Sequence, residues 1–422
     1  MMCVRWLIAV GMLLVGAVPG SAGDWPAWRG PTGQGVSDER GLPLRWGGNS
    51  GANVLWKVPL PGQDGKAQPD QNQSSPVVRG GLVFVTASYW PAGVERTKAF
   101  PEHHVVCYRA GDGRRLWDTQ VPPGPWLLKD LRGGYSVPTP AADAERLYVM
   151  FGSSVLVALD HAGKLLWRKE IVPYDFDVCA GSSPVLYGDA VILQCDQINR
   201  RARLLAFDRK TGALKWERKR PDLGFTHSTP VLVTINGQPQ LLVAASNAVQ
   251  GLAPDDGKLL WWCRTAGDTV SPVYGAGLVY CDGGRGGPGA AVDPTGSGDV
   301  TKTKRKWKLD RVPQGFSSPV VVGEHLYRLC DPQSLKCWKM ATGEEVFTRR
   351  FPGVEVRASP FTTPEGRIYL ASAGRTYVLR GGPKPEVLAV NDLGDAGPAS
   401  AAVSGGRIYL KGTKFLYCVG GK

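Results

Sequence analysis

The chain of 422 residues is poor in the residues and motifs on which many enzyme sites depend. It has five histidines and contains no Cys-Cys pair, no C-x-x-C, no H-E-x-x-H and no G-x-S-x-G. These absences argue against a structural zinc site, a zinc peptidase and a hydrolase nucleophile elbow. No apolar segment reaches the roughly 20 residues that a membrane-spanning helix needs.

Glycine and proline are abundant instead. The chain has 55 glycines and 33 prolines, about a fifth of all residues, against an average of roughly 12%. Such frequent turn residues argue against long helices and coiled coils. The hydrophobic share of 43% is too high for a disordered chain and is enough for a large core. Composition therefore predicts a globular, turn-rich, β-rich protein.

The positive charge is spread along the chain. The formal net charge is +13, and the densest basic run, Lys302 to Lys306, precedes Trp307. No stripe of basic residues interleaved with aromatic ones is present, so we expect no nucleic-acid partner. We expect a monomer without a transmembrane segment, and its protein partner or small ligand stays open.

The N-terminus has the features of a signal peptide over residues 1–23. Arg5 supplies a positive charge, Leu7 to Val18 are apolar, and Pro19 to Gly23 are small residues suited to cleavage. We therefore expect export to the periplasm or cell envelope. No cysteine follows the apolar region, so a lipid anchor is not indicated. Export permits disulfides, and Cys330 and Cys337, on either side of a predicted turn, are a candidate pair.

A repeat dominates the rest of the sequence. A Ser-Pro or similar start, followed by apolar residues, recurs at intervals of 40 to 64 residues, and Ser400 marks a degenerate eighth start. A period of about 45 residues with four short strands is typical of a propeller blade. The eighth unit lacks a closing strand, which residues 53–58 resemble. We predict an all-β, eight-bladed β-propeller over residues 53–422, closed by pairing its two ends, with residues 24–52 as an arm packed on it. The seven proline starts are Pro76, Pro140, Pro184, Pro230, Pro272, Pro319 and Pro360.

The turn before each closing strand carries a second pattern. Residues 206–216 read A-x-D-x-x-T-G-x-x-x-W, in which Asp208 can accept backbone N–H bonds and Gly212 allows a positive φ. The tryptophan would cover the neighbouring sheet with its large apolar face. The docking tryptophans predicted in this way are Trp56, Trp117, Trp167, Trp216, Trp262 and Trp307.

This pattern resembles the tryptophan-docking motif of the PQQ-like β-propeller superfamily, which includes quinoprotein dehydrogenases and the BamB-type outer-membrane assembly protein. The opening from Asp24 to Ser37 resembles exported PQQ-binding-like repeat proteins of planctomycete type. The resemblance implies a binding or scaffolding propeller. Its alternatives are a BamB-like component of outer-membrane protein assembly and, if the chain is an enzyme, a PQQ-dependent dehydrogenase.

The resemblance also implies what a dehydrogenase site would need. The dehydrogenases typically hold pyrroloquinoline quinone (PQQ) under adjacent cysteines, over a tryptophan floor and beside a calcium ion. The Cys-Cys pair is missing here, so we expect neither PQQ nor calcium and assign no catalytic or metal-binding residue. Trp261 and Trp262 could suggest a stacking floor, but they stand at a blade-closing position, which favours docking.

A ligand site, if one exists, is expected at the channel mouth, where the residues before each Ser-Pro start converge. We also expect His103 and His104 in a solvated hairpin, and Asp282 to Gly287 as a flexible connection between strands. The long first blade brings Trp90, Trp126 and Tyr135 into loops that either dock a partner or pack on themselves. The candidate ligand residues are Asn72, Gln73, Arg132, Tyr135, Asp177, His227, Asp268 and Arg357.

Overall fold

Eight antiparallel sheets, one for each repeat, form a ring around a single axis, as the repeat predicts. The computed structural model describes residues 23–48, 51–63, 65–125, 133–173 and 181–421; the leader, Arg132 and Asp177 lie outside them. The described residues form strands and turns without a helix. From inner to outer strand, blade 1 comprises Val77–Arg79, Leu82–Trp90, Glu102–Arg109 and Arg115–Val121, with Gln68–Pro69 beside its second strand; blade 2 Ala141–Ala142, Arg146–Phe151, Val155–Asp160 and Leu165–Glu170; blade 3 Val185–Tyr187, Ala190–Gln194, Arg203–Asp208 and Leu214–Lys219; and blade 4 Val231–Ile235, Gln238–Ala245, Ala248–Leu252 and Leu259–Arg264. Blade 5 comprises Val273–Gly275, Leu278–Asp282, Gly287–Val292 and Arg305–Val312; blade 6 Val320–Val322, His325–Cys330, Ser334–Lys339 and Glu345–Arg350; blade 7 Phe361–Thr362, Arg367–Leu370, Arg375–Arg380 and Glu386–Asp392; and blade 8 Ala402–Ser404, Arg407–Lys411, Phe415–Gly420 and Val54–Pro59.

The ring closes through its two ends. The N-terminal strand Val54–Pro59 pairs antiparallel with Phe415–Gly420, and Trp56 lies opposite Cys418. This pairing completes blade 8 and confirms the predicted closure.

Burial in each blade follows its distance from the rim. Val155–Asp160, a third strand, is almost wholly buried, whereas the adjacent outer strand Leu165–Glu170 is exposed or half-buried throughout. Middle strands are covered by neighbouring blades on both faces, so they consist of consecutive apolar residues rather than alternating ones. Within the described residues, no helical segment has the length and apolar character needed to cross a membrane.

The docking motif joins neighbouring blades at five of the eight junctions. The Trp167 ring packs on Gly212 of the following blade, where an added Cβ would lie 2.9 Å from the ring. The Trp167 indole N–H donates to the Arg209 carbonyl at 3.0 Å, and Asp208 accepts the Thr211 N–H at 2.8 Å. The same ring-on-glycine contact recurs in the pairs Trp56–Gly113, Trp117–Gly163, Trp216–Gly257 and Trp307–Gly343.

Blade 4 departs from the predicted docking pattern. Register places Trp261, opposite Gly251, in the position that Trp216 occupies opposite Ala206 in blade 3. Trp261 is fully buried, and its indole N–H donates to Gln240 at 2.8 Å. Trp262 faces the other side of the sheet and is only half-buried. Trp261 stands four residues after Gly257, the spacing that separates Trp216 from Gly212, so the prediction of Trp262 was wrong by one residue.

The N-terminal arm, residues 24–52, crosses one end of the ring. We call it the lower end, and the inner strands run toward it. Trp25 and Val78 of blade 1 exchange two backbone hydrogen bonds of 2.9 Å. Gln34 accepts the Tyr274 N–H of blade 5 at 2.7 Å, and Thr362 of blade 7 bonds to Gly35 at 2.8 Å. The arm therefore contacts the inner strands on opposite sides of the axis.

Two expectations about side chains are wrong. Cys330 and Cys337 do not face each other, because register pairs Cys337 with Tyr327 and places Cys330 opposite Ser334. Both are free thiols, and burial raises the pKa of Cys330 to about 11.

His103 and His104 lie within a strand rather than in a solvated turn, and His103 is fully buried. It is stacked on Phe151 and hydrogen-bonded to two serine hydroxyls.

Candidate functional site

A closed ring of eight hydroxyl groups surrounds the axis. Each blade contributes the Ser or Thr that precedes its inner strand, and the backbone N–H of one blade donates to the hydroxyl oxygen of the next. Seven of these residues precede a proline, which lacks an N–H and stands directly before the inner strand. The bonds run from Ser75 N to Thr139 Oγ1 (2.9 Å), Thr139 N to Ser183 Oγ (2.9 Å), Ser183 N to Thr229 Oγ1 (3.0 Å), Thr229 N to Ser271 Oγ (2.8 Å), Ser271 N to Ser318 Oγ (3.1 Å), Ser318 N to Ser359 Oγ (2.9 Å), Ser359 N to Ser400 Oγ (2.9 Å) and Ser400 N to Ser75 Oγ (3.0 Å).

A cavity of about 410 Å³ lies on the axis and is lined by all eight ring residues. Trp28 of the arm also lines it, on the lower side where the arm crosses the inner strands. Trp28 of the arm therefore forms part of the cavity wall at its lower end. The layer above the ring comes from the residue two positions before each hydroxyl, namely Gln73, Val137, Gly181, His227, Thr269, Phe316, Arg357 and Pro398.

The cavity mouth carries two exposed guanidinium groups. Arg285 forms an ion pair of 2.7 Å with Asp268, and Arg357 forms one of 2.9 Å with Glu355. Both arginines line the cavity, and Phe316 lies between them in the layer above the ring, with the Arg285 guanidinium 5.9 Å from its ring. The mouth therefore offers N–H donors beside an aromatic face.

One histidine, His227, lines the cavity. It is half-buried, and its backbone N–H donates to the Asp268 carbonyl at 2.8 Å. Burial, and to a smaller extent the positive charge of Arg285, lower the pKa of His227 to about 4. The imidazole is therefore neutral at pH 7.

The structure brings together only part of the predicted ligand set. Gln73, His227 and Arg357 line the cavity, and Asp268 lies at its rim through Arg285. Asn72 faces away and exchanges hydrogen bonds with the Ser88 backbone.

Tyr135 also lies away from the cavity. It is fully buried in an aromatic cluster with Trp90 and Phe100, so this part of the first blade packs on itself. Arg132, Asp177 and Trp126 lie outside the described residues.

Three lining residues, Arg285, Phe316 and Trp28, were not predicted from the sequence. Arg285 stands in the glycine-rich string that was expected to be only a flexible connection. Positive φ values at Gly284 and Gly286, 71° and 83°, bend this loop of blade 5 toward the axis. The string was the available signal, because only glycine adopts two such conformations within three residues at little cost.

The described residues do not fit the PQQ and calcium site that the superfamily implies. The carboxylates at the mouth, Asp268 and Glu355, are each held by an arginine. No group of three or more His, Cys, Asp or Glu side chains in the described part of the chain could hold a metal ion. Among the described residues, no Asp or Glu lines the cavity, whereas calcium is typically bound by carboxylate oxygens.

Solved structures with the same fold span several activities. BamB from Moraxella catarrhalis is 13% identical, with a TM-score of 0.58, over 87% of this chain and 97% of that one. A europium-containing methanol dehydrogenase is 11% identical, with a TM-score of 0.67, over 92% and 89%. The computationally designed Ika8 protein is 9% identical, with a TM-score of 0.54, over 90% and 100%. At these identities the likeness concerns the fold alone.

None of the curated proteins matches the chain. A family model described as outer membrane protein assembly factor BamB matches residues 101–349, which is more than half of the chain and runs from blade 1 into blade 6. Together with the eight blades and the docking tryptophans, this match shows that the chain belongs to the BamB family of PQQ-like β-propellers.

Proposed function

We propose that this protein is an exported, non-catalytic binding propeller whose axial cavity takes a small anionic ligand. One observation carries the proposal: the cavity has a floor, Trp28, and a mouth with two guanidinium groups, Arg285 and Arg357. A structural water channel would need neither. A pocket of this kind, partly apolar and with a few converging polar groups, is typical of small-molecule sites.

The polar groups favour an anion. Each guanidinium has five N–H donors, of which its carboxylate partner uses only some, so others are free for a ligand oxygen. The side chains of Arg285 and Arg357 are about half exposed at 50% and 44%, and their donors are accessible. The ring hydroxyls below them, already accepting N–H bonds, retain O–H donors that can point into the cavity.

The same groups favour binding over catalysis. A pKa of about 4 makes His227 a weak base at neutral pH. The hydroxyls of the ring are part of a structural hydrogen-bond cycle. Asp268 and Glu355 are engaged with arginines, so within the described residues no activated nucleophile faces the cavity.

The test measures ligand binding by the full chain, by calorimetry and thermal unfolding. The probes are citrate, and PQQ with and without calcium. A ligand at 100 times its Kd should stabilise the native state by about 2.7 kcal/mol. We expect citrate binding that weakens at least tenfold in Arg285→Gln and in Arg357→Gln. Arg380→Gln is the matched control, because Arg380 is an exposed arginine paired with Glu386 at 2.9 Å on the rim.

Two results would contradict the proposal. One is the absence of binding by all probes. The other is an equal loss of affinity in the Arg380→Gln control. Calcium-dependent PQQ binding would instead support the quinoprotein alternative and justify assays with alcohols and an artificial electron acceptor.

Export is part of the proposal and rests on the signal-peptide features of residues 1–23. Asp24 forms an ion pair of 3.1 Å with Arg79 and accepts the Gly80 N–H at 2.9 Å, so cleavage before Asp24 would leave this contact intact. Cell fractionation and mass spectrometry of the N-terminus test it. Recovery of the intact leader on protein in the cytoplasm would refute export.

A second candidate is a component of outer-membrane protein assembly, which the family match over residues 101–349 favours. Production of this chain in Moraxella catarrhalis cells that lack BamB tests the candidate. Restored amounts of outer-membrane proteins would support it, and unchanged amounts with the chain present in the envelope would oppose it.

A further inference from the structure

A second cavity, of about 380 Å³, lies between blades 3 and 4, away from the axis. We call it the blade 3–4 groove. One wall is the end of the outer strand of blade 3 and the segment after it, and the other is the outer half of blade 4. Its lining includes Arg218, Lys219, Asn247, Gln250, Trp262 and Arg264.

Trp262 does not have the structural role of joining two blades. In this blade Trp261 already occupies the docking position and faces blade 5, so Trp262 is not needed to join blades. Neighbouring side chains of a strand point to opposite faces, which turns Trp262 toward the groove. The residue after the docking aromatic is polar in the six other blades that have one: Lys57, Asp118, Arg168, Glu217, Lys308 and Thr348.

The backbone around Trp262 is held in place. Gly298–Asp299 adds a parallel fifth strand beside it, with Asp299 next to Trp262. The Val300 N–H donates to the Trp262 carbonyl at 2.9 Å, and the Arg264 N–H donates to Thr301 at 3.0 Å. This strand occupies the outer edge of blade 4, so an extended peptide cannot add to the sheet there.

The groove is cationic. Within the described part of the chain, no carboxylate lies at ion-pair distance from Arg218, Lys219 or Arg264. At the base, the guanidinium of Arg220, whose exposed fraction is 4%, is paired with buried Asp196 and donates to Gln250 at 3.0 Å. The base is therefore neutral as a pair. The lining also includes one carboxylate, Asp222, which forms an ion pair of 3.6 Å with Arg200, so Arg218, Lys219 and Arg264 leave the groove with a net positive charge.

We propose that the blade 3–4 groove binds an acidic saccharide. The C–H face of a pyranose ring stacks on the Trp262 indole, and a carboxylate or sulfate accepts hydrogen bonds from Arg218 and Arg264. Asn247 and Gln250 provide amide groups for ring hydroxyls. The cavity has room for one or two sugar units, and the covered edge excludes recognition of a peptide by strand addition.

Calorimetry on the full chain tests the proposal with digalacturonate, a chondroitin sulfate disaccharide and neutral maltose. We expect binding of at least one acidic sugar, no detectable binding of maltose, and an affinity that falls as salt is raised. The two acidic probes distinguish a carboxylated from a sulfated ligand. Trp262→Ala and Arg264→Gln should each weaken binding at least tenfold.

Controls separate this groove from the axial cavity and from misfolding. Lys308→Ala changes the equivalent position in blade 5 and should bind as wild type does. Trp262→Phe keeps an aromatic face and should retain part of the affinity. Arg380→Gln, at an exposed ion pair outside both cavities, should leave acidic-sugar binding unchanged. The two cavities share no lining residue, so failure of the axial proposal does not affect this one. Absence of binding by both acidic sugars, or preferential binding of AMP or a glutamate-rich peptide, would overturn the proposal.

Discussion

The backbone N–H of Ser400 donates to Ser75 Oγ at 3.0 Å, and this bond joins the last blade to the first. It is the closing member of the hydroxyl ring and links residues at opposite ends of the propeller. The ring therefore stabilises the closed architecture as well as lining the cavity. We expect Ser75→Ala to leave the buried Ser400 N–H without an acceptor and to lower the free energy of unfolding by about 1–3 kcal/mol.

Chemical denaturation checks this prediction. Ser75→Thr should behave as wild type does, because Thr139 and Thr229 already serve as acceptors in the ring. Ser297→Ala, at an exposed serine, is the control for loss of a hydroxyl elsewhere. A Ser75→Ala protein as stable as the control would mean that water replaces the missing acceptor.

The docking contact can be measured at Gly212. This residue has a φ of 69°, and an added Cβ would lie 2.9 Å from the Trp167 ring. Gly212→Ala therefore combines the cost of a left-handed alanine, about 1–2 kcal/mol, with a steric clash. Gly237→Ala is the matched control, since its φ is 77° and nothing lies within 4 Å of an added Cβ. We expect Gly212→Ala to be the less stable variant by thermal unfolding, and equal stabilities would contradict the docking role.

Two buried histidines predict acid sensitivity. Burial lowers the pKa of His227 to about 4 and that of His103 to about 3, against about 6.5 in the unfolded chain. Between pH 6.5 and 4 the unfolded state therefore binds protons that the native state does not, and stability falls as pH falls. His227→Gln and His103→Gln should each show a shallower fall in unfolding free energy over this range. Curves parallel to wild type would contradict the assignment.

A buried lysine predicts how stability changes with pH above neutrality. Lys411 has an exposed fraction of 1% and donates to Ser74 and to the Thr86 carbonyl, all neutral acceptors. Burial lowers its pKa to about 7, against about 10.4 in the unfolded chain. Above pH 7 the unfolded state binds the extra proton, so this group makes the protein more stable as pH rises.

The Lys411→Met variant isolates that effect. The difference in unfolding free energy between wild type and variant should move in favour of wild type from pH 7 to 9.5, measured by denaturation at each pH. Other groups that titrate there are common to both proteins and cancel. A difference that does not change with pH would place a charged Lys411 in the native state.

The candidate site was only partly predictable from sequence. Gln73, His227 and Arg357 could be placed at the mouth because each lies just before a repeat start, and the repeat starts gather around the channel. Arg285 could not, because it reaches the axis from a loop between the second and third strands of blade 5. Trp28 could not either, since its distance along the chain from the inner strands says nothing about which end of the channel it lines.

The sequence by itself determined the number of blades, the closure of the ring and the docking of tryptophans on the neighbouring blade. These follow from local repeats, in which each unit must cover its apolar faces with its neighbours. Tertiary structure alone decided which loop residues reach the axis, such as Arg285 and Trp28. It also decided that Cys330 and Cys337 do not face each other and that His103 and Lys411 are buried. A one-residue change of register moves a side chain to the other face of a sheet, and sequence spacing does not resolve that step.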